Sequence, residues 1–267
     1  MTPADPMTPA DPAAAVDPAA LAEALDAAAL AAHPLPGGGS GLTTTAEAYA
    51  VQEALLARRF ARGERPTGVK LGFTSAAKMR QMGVRDLIHG RLTDRMEIPD
   101  GGRCDVSGLI HPRVEPEIAF LLGAVLAPGG DPAAVAAVAP ALEVIDSRYD
   151  GFRFSLPEVI ADNTSAAGYA LGPWTPAAAL GGLRSLANLG VVLEVDGRPA
   201  ETGSTAAILG DPLRALAAAA RLAGPLAAGT VVLAGAATAA VPLPPGTHVR
   251  AAVARLGSVG LTTGEAA

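Results

Sequence analysis

The sequence predicts an α+β chain, a small helical portion followed by a strand-dominated body. Three observations carry this. Capped helical patterns fill residues 13–63; from Gly68 the apolar residues switch to a period of two; and short strand-like runs then recur to the end of the chain. The expected division is a disordered leader over 1–12, the helical portion over 13–63, and the β-rich body over 64–267.

The leader reads MTPADP twice, rich in Pro and Asp. Asp17-Pro18 then sets an N-cap and an N1 proline at a helix start, and His33-Pro34 closes that helix. PLPGGGSG is expected to be a flexible connector. Thr44 and Glu47 have the spacing of a capping box for a second helix, which Ala48, Val51 and Leu55 give an apolar face and Gly63 stops. In GVKLGFT, Val69, Leu71 and Phe73 share one strand face, and Lys70, Gly72 and Thr74 the other. Ser75 to Met82 reads as a short helix ended by Gly83, and residues 113–123 as a strand. Asp131-Pro132 reads as the start of a helix to Pro140, leading into the strand ALEVIDSR. GYALGP, VVLEVDGRPAETG and GTVVLAGAAT add strands, the second with an Asp196-Gly197 hairpin signal. Asp211-Pro212 opens the last helix, through Leu222, and THVRAAVARLGSVGLTT supplies the closing strands.

Composition narrows the function classes. Only 3% of the chain is aromatic, with one Trp, which disfavours sugar clefts and stacking platforms for single-stranded nucleic acid. The net charge of -6 argues against any nucleic-acid partner. The single Cys104 excludes an internal disulfide and a multi-cysteine zinc site. The opening lacks a cationic region followed by an apolar stretch, and charges and prolines interrupt the alanine-rich windows. No signal peptide and no membrane span are therefore expected, and a soluble cytoplasmic protein is the economical reading. Among 20 basic residues only Lys70 and Lys78 are lysine. Either that is chance, or these positions need a compact, titratable ammonium.

The stretch HPRVEPEIAFLL sets Glu115 and Glu117 two positions apart in an oily run. On a strand they point the same way, with Cα atoms roughly 6.6 Å apart, against an apolar face of Val114, Pro116, Ile118, Phe120 and Leu122. Two readings stand at this point. A solvent-facing edge suits Pro116; a site suits the third carboxylate, Glu143, which lies between Leu142 and Val144 in another short apolar strand. Three carboxylates from two strands form a hard, oxygen-only set fit for Mg²⁺ or Mn²⁺. Two other motifs carry less. Ser75-Ala-Ala-Lys78 matches an S-x-x-K nucleophile pattern but lacks the K-T-G element, and Ser75 reads better as a helix N-cap. A glycosidase carboxylate pair fits poorly with so few aromatics.

The blocks GVKLGFTSAAKMRQMGV, GRLTDRM, IHPRVEPEIAFLL, ALEVIDSRY, ADNTSAAGYALGP and LGSVGLT follow one another in an order that resembles the 2-hydroxypentadienoate hydratase and 4-oxalocrotonate decarboxylase family, within the fumarylacetoacetate hydrolase superfamily. The resemblance spans roughly residues 20–263. It implies a mixed β-roll core with the N-terminal helices alongside, Glu115, Glu117 and Glu143 as metal ligands, and Lys70 in the active site. The implied substrate is a small 2-oxo dicarboxylic acid, 2-oxo-3-hexenedioate, decarboxylated in the meta-cleavage catabolism of aromatics. A metal-bound 2-oxo acid would act as electron sink, with Lys70 donating to the developing oxyanion. Asn163, Ser165, Arg148 and Leu71 are expected around the substrate, Arg148 on a carboxylate. In the hydratases, the segment after the short helix carries an Asp before an aromatic and Gly; here it reads Leu87-Ile88-His89-Gly90. That departure favours decarboxylation, with His89 as the residue that would have to replace the Asp. Hydration of 2-hydroxypenta-2,4-dienoate at the same metal is the nearest alternative. Acylpyruvate hydrolysis and a non-catalytic partner subunit are more distant. The resemblance also implies a homo-oligomer and a complex with the pathway hydratase.

Overall fold

The computed structural model describes residues 16–75, 79 and 87–264. The expected leader, most of the helix read at Ser75–Met82, its stop at Gly83, and Lys78 lie outside the described residues.

Helix α1 (Pro18–Ala31) starts as its sequence dictates, with the Asp17 side chain accepting from the Ala19 N–H at 2.9 Å. Helix α2 (Thr45–Ala61) carries the capping box, Glu47 N–H donating to Thr44 Oγ1 and Thr44 N–H to the Glu47 carboxylate. Asp26, buried on α1, ties the pair together by accepting from Arg58 of α2 and from Arg62 at its C-cap, at 3.1 and 2.7 Å. The PLPGGGSG connector is held, contrary to expectation. Gly38 and Ser40 N–H groups donate to the carboxylate of buried Glu158 at 2.9 and 3.3 Å. Backbone N–H groups closing on one buried carboxylate fix a loop that its glycines alone would leave free. Glu158 sits on α3 (Leu156–Ala161), a helix the sequence reading overlooked although Ser155-Leu-Pro-Glu158 is a capping box with an early proline.

The body is two mixed sheets, in agreement with the α+β expectation. The strands in chain order are β1 (Pro66–Gly72), β2 (Ile88–Thr93), β3 (Glu97–Ile98), β4 (Gly102–Cys104), β5 (Arg113–Leu122), β6 (Val135–Ile145), β7 (Ala166–Leu171), β8 (Thr175–Pro176), β9 (Gly190–Val195), β10 (Arg198–Ser204), β11 (Val231–Leu233), β12 (Val241–Pro242), β13 (His248–Val253) and β14 (Gly257–Thr263). The larger sheet runs β2-β1-β11-β5-β6-β7-β3, with β12 also on β5 and β8 on β6; the smaller runs β10-β9-β13-β14-β4. Helix α4 (Leu213–Ala223) is the helix opened at Asp211-Pro212. The β9–β10 hairpin turns where expected, with Asp196 at φ 51° and Gly197 at φ 73°.

One expected helix is a strand. After Asp131 caps a single 3₁₀ turn (Pro132–Ala134), the chain enters β6 at Val135, not after Pro140. Alanine's helical preference is a fraction of a kcal/mol per residue, and Pro140 would break a helix interior. Against that, β6 pairs along almost all of β5, and with β7 and β8 on its other side. Tertiary pairing wins.

These layers bury both faces of β5. Val114 packs with Leu142 and Val144 against Leu193, Val249 and Leu261 of the smaller sheet. Ile118, Phe120 and Leu122 pack with Leu216 and Ala219 of α4. On the reverse face, Ala119, Ala141, Tyr169, Leu92 and Leu233 fill the interior of the larger sheet. The glutamates therefore point inward.

Candidate metal and active site

Strand β5 is central, not an edge. Pro116 fits because β11 leaves the ladder after Leu233, and β12 rejoins it only at Val241. In that gap the 234–240 segment runs beside β5, with Ala234 and Ala237 N–H groups donating to Ile118 and Pro116 carbonyls at 3.0 and 2.9 Å. The segment's backbone also reaches the site, where Gly235 N–H donates to Glu117 Oε2 at 2.7 Å. Gly235 holds φ +105°, and a Cβ there would sit 2.1 Å from Thr74 Oγ1, so a side chain is doubly excluded.

The β5–β6 register puts Glu115 directly opposite Glu143, and Glu117 one pair further along. All three are buried, and each offers an oxygen within 4.8 Å of those of the other two. Lys70 arrives from β1, 3% exposed, with its Nζ 2.9 Å from Glu143 Oε1. Burial, then the nearby Glu143 charge, pushes Glu117 well above the ordinary carboxylate range. Burial also raises Glu143, although Lys70 opposes it. Glu117 Oε1 and Glu143 Oε2 meet no hydrogen-bond partner among the described residues. Crowded, dry carboxylates with unused oxygens take up either protons or a cation. The donors are oxygen only, which fits a hard divalent ion such as Mg²⁺ or Mn²⁺.

Above this cluster lies a cavity of about 360 Å³. Lys70 and Glu115 line it, and Glu117 and Glu143 are the carboxylates grouped with Glu115. Its walls include Gly72, Ile88, Ile145, Phe152, Phe154, Val159 and the 236–240 backbone segment. Leu71 also borders the cavity, although its side chain belongs to the core with Val69 and Phe120. Ser165 lines the cavity too, with a buried Oγ that meets no partner among the described residues. Asn163, Thr164 and Ser165 hold φ values of 48°, 55° and 58°. Three successive non-glycine residues in the left-handed region store strain that the surroundings must hold, a pattern concentrated at functional sites.

Not every expected residue converges here. Asn163 is buried but its amide is engaged with β2, Oδ1 accepting from Arg91 N–H at 2.8 Å and Nδ2 donating to Arg91 O at 2.9 Å. Arg148 turns to Asp162, donating from Nε and backbone N–H to the carboxylate and from Nη2 to the carbonyl at 2.7 Å. It borders a different recess, beside Asp26 and Arg59. His89 pairs with Leu71, so it lies on the face opposite Lys70, stacked on Tyr49 at 4.6 Å. Burial holds its imidazole down to about 4. The cavity residues that sequence reasoning overlooked include Arg113 and Phe152. Arg113 was legible, since it continues the alternation of Glu115 and Glu117; Phe152 sits in an irregular turn with no periodic signal.

Residues 93–262 match the family described as fumarylacetoacetate (FAA) hydrolase, C-terminal. The chain belongs to the fumarylacetoacetate hydrolase family. Within it, the chain is 51% identical over 255 residues to a 4-oxalocrotonate decarboxylase of Pseudomonas sp., covering 92% of this chain and 98% of that one. A 2-keto-4-pentenoate hydratase of Paraburkholderia xenovorans (strain LB400) is 38% identical over 196 residues, 70% of this chain and 72% of that one. Among solved structures of the fumarylacetoacetate hydrolase family, the 4-oxalocrotonate decarboxylase from Pseudomonas putida G7, complexed with magnesium and adipate, superposes with a TM-score of 0.86 at 39% identity. That match covers 92% of this chain and 97% of the other.

Proposed function

We propose that the chain is a divalent-metal-dependent decarboxylase of 2-oxo-3-hexenedioate (4-oxalocrotonate), giving 2-hydroxypenta-2,4-dienoate in the meta-cleavage catabolism of aromatics. The observation that carries this reading is the buried Glu115–Glu117–Glu143 trio, with Glu143 ion-paired to Lys70 and Glu115 lining a partly apolar cavity. The likeness to 4-oxalocrotonate decarboxylases over nearly the whole chain supports the choice of reaction.

The substrate is a vinylogous β-keto acid. When its C5–C6 bond breaks, the electron pair moves through the C3–C4 double bond onto the 2-oxygen, which then takes a proton. Mg²⁺ or Mn²⁺, when bound, supplies a Lewis acid for that oxygen. Glu115, Glu117 and Glu143 would hold the ion, their crowding relieved by its charge. Gly235 N–H fixes the orientation of Glu117, and Lys70 that of Glu143. Lys70 is the donor placed to follow charge onto the 2-oxygen. Ser165 Oγ, unpartnered and dry, hydrogen-bonds the substrate. Ile88, Phe154 and Val159 exclude water from the carbanion carbon, which favours a dienol product over a hydrated one.

Hydratase chemistry is the second reading, favoured by relatives of that name at 38% identity. The position where hydratases would carry an acid holds Leu87-Ile88-His89, and His89 faces away from Lys70. A homo-oligomeric, cytoplasmic enzyme that passes its product to the pathway hydratase completes the proposal, on the strength of the family resemblance alone. The test supplies 2-oxo-3-hexenedioate and 2-hydroxypenta-2,4-dienoate separately with Mg²⁺, following CO₂ release and loss of the dienol. CO₂ from the first with a stable dienol in the second supports decarboxylation; the converse pattern replaces it with hydration.

A further inference from the structure

The cavity holds a second cation besides Lys70. Arg113 is the first residue of β5 and shares the face of Glu115 and Glu117 by strand alternation. It lies one two-residue step from Glu115, a Cα separation of roughly 6.6 Å, and is exposed where Glu115 is buried. Its Cζ sits 4.8 Å above the ring centroid of Phe152, another lining residue. Phe152 holds φ 58° after Gly151 at φ 60°, so the turn is bent to set the ring between Arg113 and His111, whose ring lies 4.7 Å away. Lys70 is committed to Glu143, and Arg148 to Asp162. Arg113 has no carboxylate partner among the described residues. A guanidinium that is aimed by an aromatic face, unpaired, and set beyond the carboxylate trio is suited to bind an anion entering the cavity.

We propose that Arg113 is the specificity residue for dicarboxylates, pairing with the carboxylate at the substrate end remote from the glutamate trio. The inference rests on the decarboxylase reading. The spacing suits an extended six-carbon diacid, with the 2-oxo acid end at the glutamates and the far carboxylate at Arg113. It also has a kinetic signature. The far carboxylate is the group that leaves as neutral CO₂, so its pairing with Arg113 is strongest in the ground state and fades as the bond breaks. Arg113 therefore contributes to substrate capture and not to the chemical step.

The test compares the Mg²⁺-loaded protein with Arg113→Gln and Arg113→Lys, using 2-oxoadipate and 2-oxohexanoate as probes that differ only in the far carboxylate. Calorimetric titration should show the wild type preferring 2-oxoadipate, and Arg113→Gln losing about tenfold or more for it, corresponding to about 1.4 kcal/mol. Binding of 2-oxohexanoate should change less than twofold, and Arg113→Lys should fall between. With 2-oxo-3-hexenedioate, Arg113→Gln should raise KM without lowering kcat. Equal loss for both probes, no loss for either, or a fall in kcat matching the fall in kcat/KM would overturn the assignment. If wild type discriminates but Arg113→Gln discriminates as well, only the residue is wrong. If wild type releases no CO₂, the decarboxylase reading itself fails.

Discussion

Replacing Lys70 by Met separates the ammonium's two roles. The Nζ lies 2.9 Å from Glu143 Oε1, and both side chains are almost wholly buried, at 4% and 1% exposure. At an effective dielectric of 20 their gross attraction is about 6 kcal/mol, most of it offset by desolvation in the native pair. Removing the ammonium leaves buried Glu143 without its ion-pair partner, a loss of roughly 3–5 kcal/mol of stability without metal. A divalent ion replaces the missing charge, so Mg²⁺ should raise the melting temperature of Lys70→Met more than that of wild type. It should bind at least as tightly, since a repelling cation has gone. Turnover should nevertheless fall by about 10²–10³, the usual cost of losing an oxyanion donor. Glu143→Gln is the contrast: it removes a ligand, so metal affinity and kcat fall together. Calorimetry with Mg²⁺, melting curves and initial rates give all three numbers. Lys70→Met with a kcat within threefold of wild type refutes the oxyanion role, whatever its effect on stability.

Two further outcomes follow from local geometry. Gly235→Ala should weaken Mg²⁺ binding by roughly 10–100-fold, because the new Cβ displaces Thr74 or the Gly235 N–H that orients Glu117; unchanged affinity on titration would exclude that positioning. His89, held at about 4 against an ordinary 6.5, is a base whose folded form resists protonation. The unfolded chain then binds more protons between about pH 6.5 and 4, so stability is lost as pH falls through that window, by about 2 kcal/mol at pH 5. In urea denaturation, His89→Phe, keeping the stack on Tyr49, should lose that much less than wild type between pH 7 and 5; equal losses would contradict it.

The parts of the fold and site read from sequence are those written in local chemistry. Caps at Asp17 and Thr44, the Asp196-Gly197 turn and the alternation around Lys70 and Glu115 are short-range rules, and each recurs in the structure. The register that sets Glu115 opposite Glu143 is long-range; the residues left the grouping as one of two readings, and the family resemblance favoured it. Where the rules conflict, pairing decides, as at residues 135–140, where an alanine-rich run became the start of β6. The arginines show the limit most plainly. Arg113 follows the alternation of Glu115 and Glu117, whereas nothing in the sequence assigns Arg148 to Asp162, a pairing between the segment after β6 and the end of α3 that only the fold brings together. The left-handed run Asn163–Ser165 has no glycine to announce it; its conformation is imposed by packing against β2, including Thr164 Oγ1 donating to His89 O at 2.8 Å.

The buried glutamate trio should make CO₂ release depend on a divalent ion. Protein stripped by a strong chelator, then desalted, is mixed with 2-oxo-3-hexenedioate while CO₂ is recorded before and after adding Mg²⁺. Release should be negligible beforehand and return on addition in wild type, and stay low in Glu143→Gln at the same Mg²⁺ concentration. Full turnover by the stripped enzyme would contradict a metal role for the glutamates.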